Sequence, residues 1–216
     1  TIKIILKNLK NLKNKKVLIH LSTLSQFNNC KIKSINDKTS FNSSDAIGFM
    51  KSKAEKLIIQ ETKKYKLNTV CIRLGNCFSS ELPLKKYDPG LLATLLTDLI
   101  TKKEAIVYGK NRKRNFAYIP DIAKYIELLI KKDIRGYIPI NFVGRMIVIE
   151  KLLLKIIKKI KFGKIKFEKI PFKIKKIDTF YNNIESKNFH KYGKIYQTPL
   201  DKCLTVLLKK LIIKPN

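Results

Sequence analysis

Residues 45–56 read DAIGFMKSKAEK, and residues 68–76 read NTVCIRLGN. The first segment predicts a helix from about Asp45 to Tyr65, with Ser44 or Asp45 as its N-cap. The second predicts a short strand of mainly β-branched residues, 69–74, that ends in a polar turn. A helix that leads directly into a buried strand is typical of α/β folds.

The same alternation of helices and strands continues on both sides of this stretch. Further helices are predicted at 1–9, 90–102, 121–132, 148–160 and 199–213. Further strands are predicted at 16–21, 105–107, 116–119, 138–142 and 164–169, and loops at 24–44 and 77–89. Strands that alternate with helices indicate an α/β fold with parallel strands.

The helix and the strand of the first stretch carry two residue patterns that resemble a known family. They are similar to those of the extended short-chain dehydrogenase/reductases, in particular the NAD-dependent sugar-nucleotide epimerases and dehydratases. In that family the helix carries Tyr-x-x-x-Lys and the next strand ends in Arg-x-x-Asn. Lys53 fits the lysine, and Arg73 and Asn76 fit the second pattern, but Phe49 stands at the tyrosine position.

The spacing of this helical pattern has a physical reason. Residues i and i+4 share a helix face, so a phenol at position 49 would lie one turn from the Lys53 ammonium. A nearby cation lowers the pKa of a phenol from its usual value of about 10, which allows proton exchange near neutral pH. Phe49 keeps the ring but has no proton to exchange.

The strand predicted at 16–21 ends in Ser22 and Thr23, and it resembles the family's strand that ends in two hydroxyl residues. In open α/β sheets, ligands bind at the carboxyl ends of the strands. The resemblance implies that Thr23 hydrogen-bonds the reacting sugar oxygen, with Ser22 as the second choice on the cofactor side. Leu24 and Ser25 replace the Asp-Glu pair of the dehydratases, which argues against the dehydratase branch.

A third pattern, 108–123, resembles the family's Tyr-Gly-x-Gly-x-x-Arg-Asp-Phe-x-Tyr-Val-x-Asp-x-Ala. The resemblance implies that Arg114 binds the diphosphate of the sugar nucleotide, a task that suits a planar bidentate donor. Asp121 is expected to be the N-cap of the following helix. Arg112 and Lys113 depart from the pattern, and we expect them to be solvated surface residues.

A weaker resemblance follows near the end of the chain. Residues 175–178 are similar to the family's Arg-x-Gly-Asp turn, residues 185–187 to the start of a serine-lysine helix, and residues 198–200 to a Pro-led terminal helix. Lys175 would replace an arginine that contacts phosphate, keeping the charge but losing the bidentate fork. The expected substrate-binding residues are therefore Asn76, Arg114 and Lys175.

The resemblance implies a Rossmann-like, doubly wound parallel sheet, of which this chain holds the C-terminal part, with a smaller α/β substrate-binding domain. Residues 1–78 and 116–136 would form the Rossmann portion, and 79–115 and 137–216 the substrate domain. The implied cofactor is NAD or NADP, and the implied substrate is a nucleotide-activated sugar. The resemblance leaves a homodimer through the Rossmann-domain helices open.

Two functions remain open at this point. The first is a 4-epimerase-like enzyme in which Thr23, Lys53 and position 49 form the catalytic group and Ser22 and Lys53 contact the cofactor. The alternative is a catalytically impaired cofactor- or nucleotide-binding relative with a structural role. Phe49 favours the alternative, as do Ser79 and Ser80, which stand where the family usually has Gly-Pro.

No glycine precedes Gly48 in this sequence, so a Gly-x-x-Gly-x-x-Gly turn that admits a cofactor pyrophosphate is not among its first residues. The first residue is Thr1, and residues 1–9 are predicted as a helix that precedes the first strand. From these features we expect an N-terminally incomplete protein that lacks the first βαβαβ half of its Rossmann domain.

The formal charge of +31 would ordinarily point to nucleic acid or an anionic surface. Lysine outnumbers arginine 42 to 5, however, and the lysines are spread along the whole chain. Lysine, isoleucine and asparagine all have AT-rich codons, so codon drift explains the charge and no specific nucleic-acid partner is expected. Residues 151–176 hold eleven lysines, and a solvated face is favoured there over a membrane-surface helix.

The remaining composition argues against further classes of site. No apolar run approaches the roughly 18 residues of a membrane span, so no membrane association is expected. The cysteines (Cys30, Cys71, Cys77 and Cys203) form no Cys-x-x-Cys pair, and only two histidines occur, so no metal site is expected. Unpaired cysteines favour a reducing compartment, and we expect the protein to be cytoplasmic.

Overall fold

A computed structural model describes residues 2–9, 11, 17–28, 33–43, 45–81, 90–177 and 183–213. The strands are β1 (Val17–Thr23), β2 (Ser34–Ile35), β3 (Asn68–Leu74), β4 (Asn76–Phe78), β5 (Glu104–Tyr108), β6 (Lys113–Tyr118), β7 (Tyr137–Asn141), β8 (Arg145–Val148), β9 (Lys164–Glu168) and β10 (Asn183–Ile184). The helices are α1 (Ile2–Leu9), α2 (Ala46–Tyr65), α3 (Leu91–Lys102), α4 (Ile119–Ile130), α5 (Ile149–Ile160), α6 (Phe172–Ile177), α7 (Lys187–Tyr192) and α8 (Leu200–Ile213).

The chain forms two compact units. Unit 1 comprises residues 1–75, 124–143 and 176–195, and unit 2 comprises residues 76–123, 144–175 and 196–216. The predicted division assigned 137–216 to the substrate domain and 116–136 to the Rossmann portion. Strand β7 pairs with β3 in unit 1, and β6 pairs with β4 and β8 in unit 2. The functional assignment of each unit stays a prediction.

Unit 1 is built on a parallel sheet with the strand order β1-β3-β7. The central strand β3 is buried through Val70, Cys71 and Ile72, as a strand flanked on both sides should be. Helices α1 and α2 cover it, and Leu6, Ile58 and Cys71 form a buried cluster. Burial raises the pKa of the Cys71 thiol well above its usual value, so this cysteine behaves as an apolar core residue.

Unit 2 holds a mixed sheet, β4-β6-β8, and a parallel pair, β5-β9. Strands β4 and β6 run parallel, whereas β6 and β8 are antiparallel. The leucines of α3 and the apolar faces of α5 and α8 enclose a single large cluster of buried residues. Its members include Phe78, Leu96, Leu99, Phe116, Leu153, Ile156, Leu204 and Leu207.

Most of the predicted elements are confirmed to within a few residues, and the predicted α/β class with parallel strands is confirmed. Asp45 is confirmed as the N-cap of α2, since its side chain accepts a hydrogen bond from the Gly48 amide. The short strands β2, β4, β8 and β10 and helix α6 were absent from the predicted layout, whereas α7 begins where the resemblance placed a serine-lysine helix, with Ser186 as its N-cap. Ser44, Cys30, Asp178 and the first residue of the strand predicted at 16–21 lie outside the described residues.

One local prediction was wrong. Asp121 does not cap α4, because that helix begins two residues earlier, at Ile119. The buried Asp121 carboxylate instead accepts hydrogen bonds from the Thr198 amide at 2.9 Å and the Thr198 hydroxyl at 2.6 Å. The residue therefore fastens the segment that leads into α8 to the start of α4.

The lysine-rich helix α5 directs its apolar face into the core of unit 2. Leu152, Leu153 and Ile156 are buried, while its lysines point outward. A membrane-surface helix needs a free apolar face, and this one is occupied by α3 and α8 side chains. Among the helices of the described residues, none is long and apolar enough to cross a membrane.

Candidate functional site

Thr23 ends β1, beside Leu74 at the end of β3. Its hydroxyl accepts a hydrogen bond from the Ser25 amide at 3.1 Å, so Thr23 caps a 3₁₀ turn over Leu24–Phe27. The hydroxyl also donates to the Ser25 hydroxyl at 3.1 Å and lies 3.5 Å from the Leu74 carbonyl. The carboxyl ends of two parallel strands thus place this half-buried hydroxyl at the sheet edge where the sequence predicted it.

Ser22 points to the opposite face of β1, since successive strand residues alternate. It is 5% exposed, and its hydroxyl donates to Glu55 Oε2 at 3.0 Å. Gln26, in the 3₁₀ turn, donates to the same oxygen at 3.0 Å. The structure thus makes Ser22 part of a buried hydrogen-bond network on α2.

The centre of this network is the ion pair of Glu55 and Arg73, which are 0% and 2% exposed. Arg73 Nε donates to Glu55 Oε1 at 2.9 Å, and the Tyr137 hydroxyl donates to the same oxygen. Burial, followed by the Glu55 carboxylate, raises the pKa of Tyr137 well above its usual value. The guanidinium of Arg73 also donates to Asn141 Oδ1 at 3.2 Å. The network therefore connects α2 with all three strands of the sheet.

Phe49 and Lys53 lie one turn apart on α2, as their spacing predicted. The Lys53 ammonium is 4.4 Å from the centroid of the Phe49 ring, within cation–π distance. Phe49 is 49% exposed, and Lys53 is exposed as well. The pair therefore offers a cation and an apolar ring to a ligand, but no titratable proton at position 49.

The start of α2 lies unusually close to the 3₁₀ turn. A Cβ atom on Gly48 would stand 2.4 Å from the Ser25 carbonyl oxygen and 2.2 Å from the Ser43 hydroxyl. Only glycine permits this approach without a shift of the backbone. The Gly48 amide donates to Asp45 Oδ1 at 2.6 Å, which fixes the first turn of the helix.

In unit 2, Asn76 and Arg114 lie on the neighbouring parallel strands β4 and β6. Asn76 Nδ2 donates at 3.1 Å to the carbonyl of Asn115, the residue that follows Arg114 in the chain. The Arg114 side chain is partly exposed and donates to the Lys113 carbonyl at 2.8 Å. The structure thus places an amide and a guanidinium, both predicted to contact the substrate, near the first residues of two paired strands.

Lys175 lies on α6 and is exposed. Its amide donates to the Pro171 carbonyl at 2.9 Å, which begins the helix. Its predicted role at the phosphate stays a prediction.

The residues at the end of β1 and on α2 fit in part the group that the resemblance implies, a nicotinamide cofactor. Lys53 fits as a donor to a ribose, because its side chain is exposed and its ammonium lies against the apolar Phe49 ring. Thr23 fits as an orienting hydroxyl. Position 49 does not fit as a proton donor or acceptor. Within the described chain, no group of His, Cys, Asp and Glu side chains could hold a metal ion.

Sequence reasoning missed Glu55 and Tyr137. A signal for Glu55 was present, since residues 48, 52, 55, 58 and 62 follow the spacing of one helix face and all prove to be buried. A carboxylate on a buried face requires a partner, and Arg73 was the arginine of the adjacent predicted strand. Tyr137 carried no comparable signal, because only the pairing of β7 with β3 brings it to Glu55.

A model of the NAD dependent epimerase/dehydratase family matches residues 4–143, more than half of the chain. A search of curated protein sequences found no match. A UDP-N-acetylglucosamine 4-epimerase from Methanobrevibacter ruminantium M1, solved with UDP-N-acetylmuramic acid, is 18% identical with a TM-score of 0.84. The match covers 98% of this chain and 67% of that one.

Two further solved structures show the range of proteins with this fold. A UDP-glucose 4-epimerase from Thermotoga maritima with UDP-glucose is 14% identical with a TM-score of 0.79, covering 98% of this chain and 68% of that one. An L-threonine dehydrogenase from Phytophthora infestans is 17% identical with a TM-score of 0.81, covering 98% and 70%. This chain spans about two thirds of the length of these proteins. At such identities the likeness shows the fold alone, and it confirms the predicted Rossmann-like class.

Proposed function

The chain belongs to the NAD dependent epimerase/dehydratase family, and from this premise we propose that it is part of a 4-epimerase-like enzyme for a nucleotide-activated sugar. The observation that carries the proposal is the pairing of β4 with β6, which sets the Asn76 amide beside the strand of Arg114. When bound, NAD supplies the hydride acceptor and donor for such a reaction. Fold likeness alone would not establish the activity.

In unit 1, four side chains have distinct roles in the proposal. Thr23 donates its hydroxyl proton to orient a sugar oxygen, and in that arrangement it exchanges its bond to Ser25 for one to the ligand. Lys53 donates to the nicotinamide ribose and supplies positive potential. Phe49 shields one side of the ammonium but transfers no proton. Ser22 acts only through Glu55, since its hydroxyl is buried.

In unit 2, the proposed ligand is the diphosphate of the sugar nucleotide. Arg114 provides a planar fork for two phosphate oxygens, and Asn76 Nδ2 provides a neutral donor. Lys175 adds a point charge on a flexible stem. The proposal assigns to unit 1 the role of the Rossmann portion and to unit 2 that of the substrate-binding domain.

Calorimetry with UDP-glucose and TDP-glucose tests the substrate side. We expect weak binding, with a Kd on the order of millimolar, because few contacts must offset the association entropy. Arg114→Lys should weaken it by about 10- to 140-fold, since one charge-assisted hydrogen bond is worth about 1.5–3 kcal/mol. Arg135→Lys is the matched control, because Arg135 is exposed and forms an ion pair with Asp133, two residues away. Equal affinity in both variants would contradict the assignment of Arg114.

Phe49→Tyr tests the catalytic side in the protein that contains this chain. The variant restores a phenol one turn from Lys53, and restoring a general base is worth about 10²–10⁴-fold. We expect kcat to rise by a factor in this range with an unchanged KM for the sugar nucleotide. Phe49→Leu controls for loss of the ring. An unchanged kcat in a folded Phe49→Tyr variant would mean that another group transfers the proton.

The second candidate function is a nucleotide- or cofactor-binding relative without turnover, which the phenylalanine at position 49 favours. It predicts sugar-nucleotide binding that survives Phe49→Tyr unchanged and no epimerised product in either form. Product analysis by NMR with the two forms side by side separates the candidates. Product in the Phe49→Tyr form only would identify a disabled enzyme.

We also propose a homodimer through α1 and α2. Ile4 and Ile5 on α1 and Ile47 and Met50 on α2 are exposed by 44–64%. Exposed apolar side chains on two packed helices favour burial against a second copy. Sedimentation velocity should show a dimer that Met50→Lys dissociates, with Lys56→Glu on the same helix as a control. A monomer at high concentration would contradict the proposal.

A further inference from the structure

Three of the five buried residues of helix α2 are spaced two turns apart: Gly48, Glu55 and Thr62. Residues at this spacing share one helix face. Each contacts a different neighbour: Gly48 approaches the Ser25 carbonyl, Glu55 binds four polar side chains, and Thr62 hydrogen-bonds the Thr69 hydroxyl at 2.8 Å. Two of the three contacts therefore involve β1 and its 3₁₀ turn, and the third involves only β3.

Glu55 divides its two oxygens between the sheet and the turn. Oε1 accepts from Arg73 and Tyr137, on β3 and β7, and Oε2 accepts from Ser22 and Gln26. The carboxylate is 0% exposed, so each lone pair must be satisfied within the protein. One buried group thus fixes the end of β1 and the following turn to the helix.

Arg73 contacts the same turn through aromatic rings. Its guanidinium carbon lies 5.1 Å from the ring of Phe27, the last residue of the turn, and 5.3 Å from the ring of Phe41. The Glu55 carboxylate orients the guanidinium between these contacts and the Asn141 amide. The turn is therefore clamped by both members of the ion pair.

We propose that Glu55 is the positioning residue of the candidate site, holding the turn capped by Thr23 against the helix that carries Phe49 and Lys53. The roles of Thr23, Phe49 and Lys53 rest on the proposed function, whereas the contacts of Glu55 do not depend on it. A buried ion pair is a poor source of net stability compared with apolar packing, so a role in fixing geometry accounts better for its presence. The proposal makes the placement of the Thr23 hydroxyl depend on a residue that touches no ligand.

Hydrogen exchange, resolved by residue with NMR on the whole chain, tests this dependence. The amides that report the turn are those of Ser25, which donates to Thr23 Oγ1, Asn28, which donates to the Ser25 carbonyl, and Asn42, which donates to the Gln26 carbonyl. Gln26→Leu removes one bond to Glu55 without leaving a charge unpaired. We expect exchange at these three amides to accelerate about tenfold or more, with the central amides of β3 unchanged.

Glu55→Gln is the stronger perturbation, and it risks unfolding because Arg73 loses its counter-charge. Gln26→Leu therefore decides the result if Glu55→Gln does not fold. The matched control is Thr62→Val, which breaks the third contact of the same helix face. It should lower the global unfolding free energy without a selective effect on the turn.

Two results would overturn the proposal: a uniform acceleration throughout unit 1, which a purely structural role predicts, or unchanged exchange in the turn. A kinetic readout adds to the exchange data where turnover is measurable in the Phe49→Tyr form. There Gln26→Leu should lower kcat about tenfold and leave KM for the sugar nucleotide unchanged. If the sugar nucleotide does not bind but Gln26→Leu still causes a selective loss of exchange protection in the turn, the proposed function is refuted and the positioning role of Glu55 stands.

Discussion

Replacing Gly48 with alanine sets two effects of opposite sign against each other. Within a helix, alanine is favoured over glycine by about 0.8–1.0 kcal/mol, so an unobstructed site would gain stability. At this position, the new Cβ atom would lie 2.4 Å from the Ser25 carbonyl oxygen and 2.7 Å from its carbon. Ordinary van der Waals contact begins at 3.4 Å, so the carbonyl must move by about 1 Å.

The steric effect should win. Overpacking in a closed site costs about 1–3 kcal/mol, and the upper part of this range applies because the obstacle is backbone and belongs to a capped turn. After the helix-propensity gain, the expected net loss is about 1–2 kcal/mol. A chain of this size loses about 2–4 °C in Tm for each kcal/mol, so Tm should fall by about 2–8 °C.

Circular dichroism with thermal and urea unfolding measures the change. Lys56→Ala, on the exposed side of the same helix, controls for helix propensity and should stay within about 0.5 kcal/mol of the parent. Gly48→Ala combined with Ser43→Ala removes the hydroxyl that also obstructs the Cβ, but it leaves the Ser25 carbonyl in place. Full recovery in the double variant, or an unchanged or higher Tm for Gly48→Ala alone, would refute the reasoning.

Two further predictions concern the buried Asp121 carboxylate and the half-buried His20 imidazole. Asp121→Ala removes both hydrogen bonds to Thr198 and should destabilise the chain by about 2–4 kcal/mol. Limited digestion should then show earlier proteolysis next to α8. An unchanged digestion pattern would contradict the role of Asp121 in holding this segment. Burial, and then the Lys51 ammonium, lower the pKa of His20 below its ordinary value of 6.5. The stability that neutral His20 provides is therefore present above pH 6.5 and is lost as the pH falls through the folded-state pKa. Urea unfolding from pH 7 to 5 should therefore show a steeper loss of unfolding free energy in the parent than in His20→Gln, and equal slopes would refute it.

The sequence by itself determined the elements and the chemistry of single positions. The apolar spacing of α2, its Asp45 cap and the β-branched run of β3 are local features, and the structure has them where they were predicted. The relation of Phe49 to Lys53 also follows from the helical repeat, since i and i+4 share a face in any α-helix. The absence of an exchangeable side-chain proton at position 49 follows from the residue type alone.

Only the tertiary structure shows which of the Ser22 and Thr23 hydroxyls faces α2. Strand alternation guarantees that the two hydroxyls point to opposite faces, but the face that meets α2 depends on how β1 pairs with β3 and where the helix returns. The structure buries Ser22 against Glu55 and leaves Thr23 at the sheet edge.

The same limit explains Asp121 and Glu55. An aspartate at the start of a helix suggests an N-cap, yet Asp121 binds Thr198, 77 residues away. A glutamate in a lysine-rich helix suggests solvent, yet Glu55 is buried with Arg73 and Tyr137, which lie 18 and 82 residues away in the chain. A buried polar group is stable only with partners, and the folded chain brings those partners from distant segments. Local periodicity therefore predicts helices and strands, whereas the pairing of buried charges is a property of the tertiary structure.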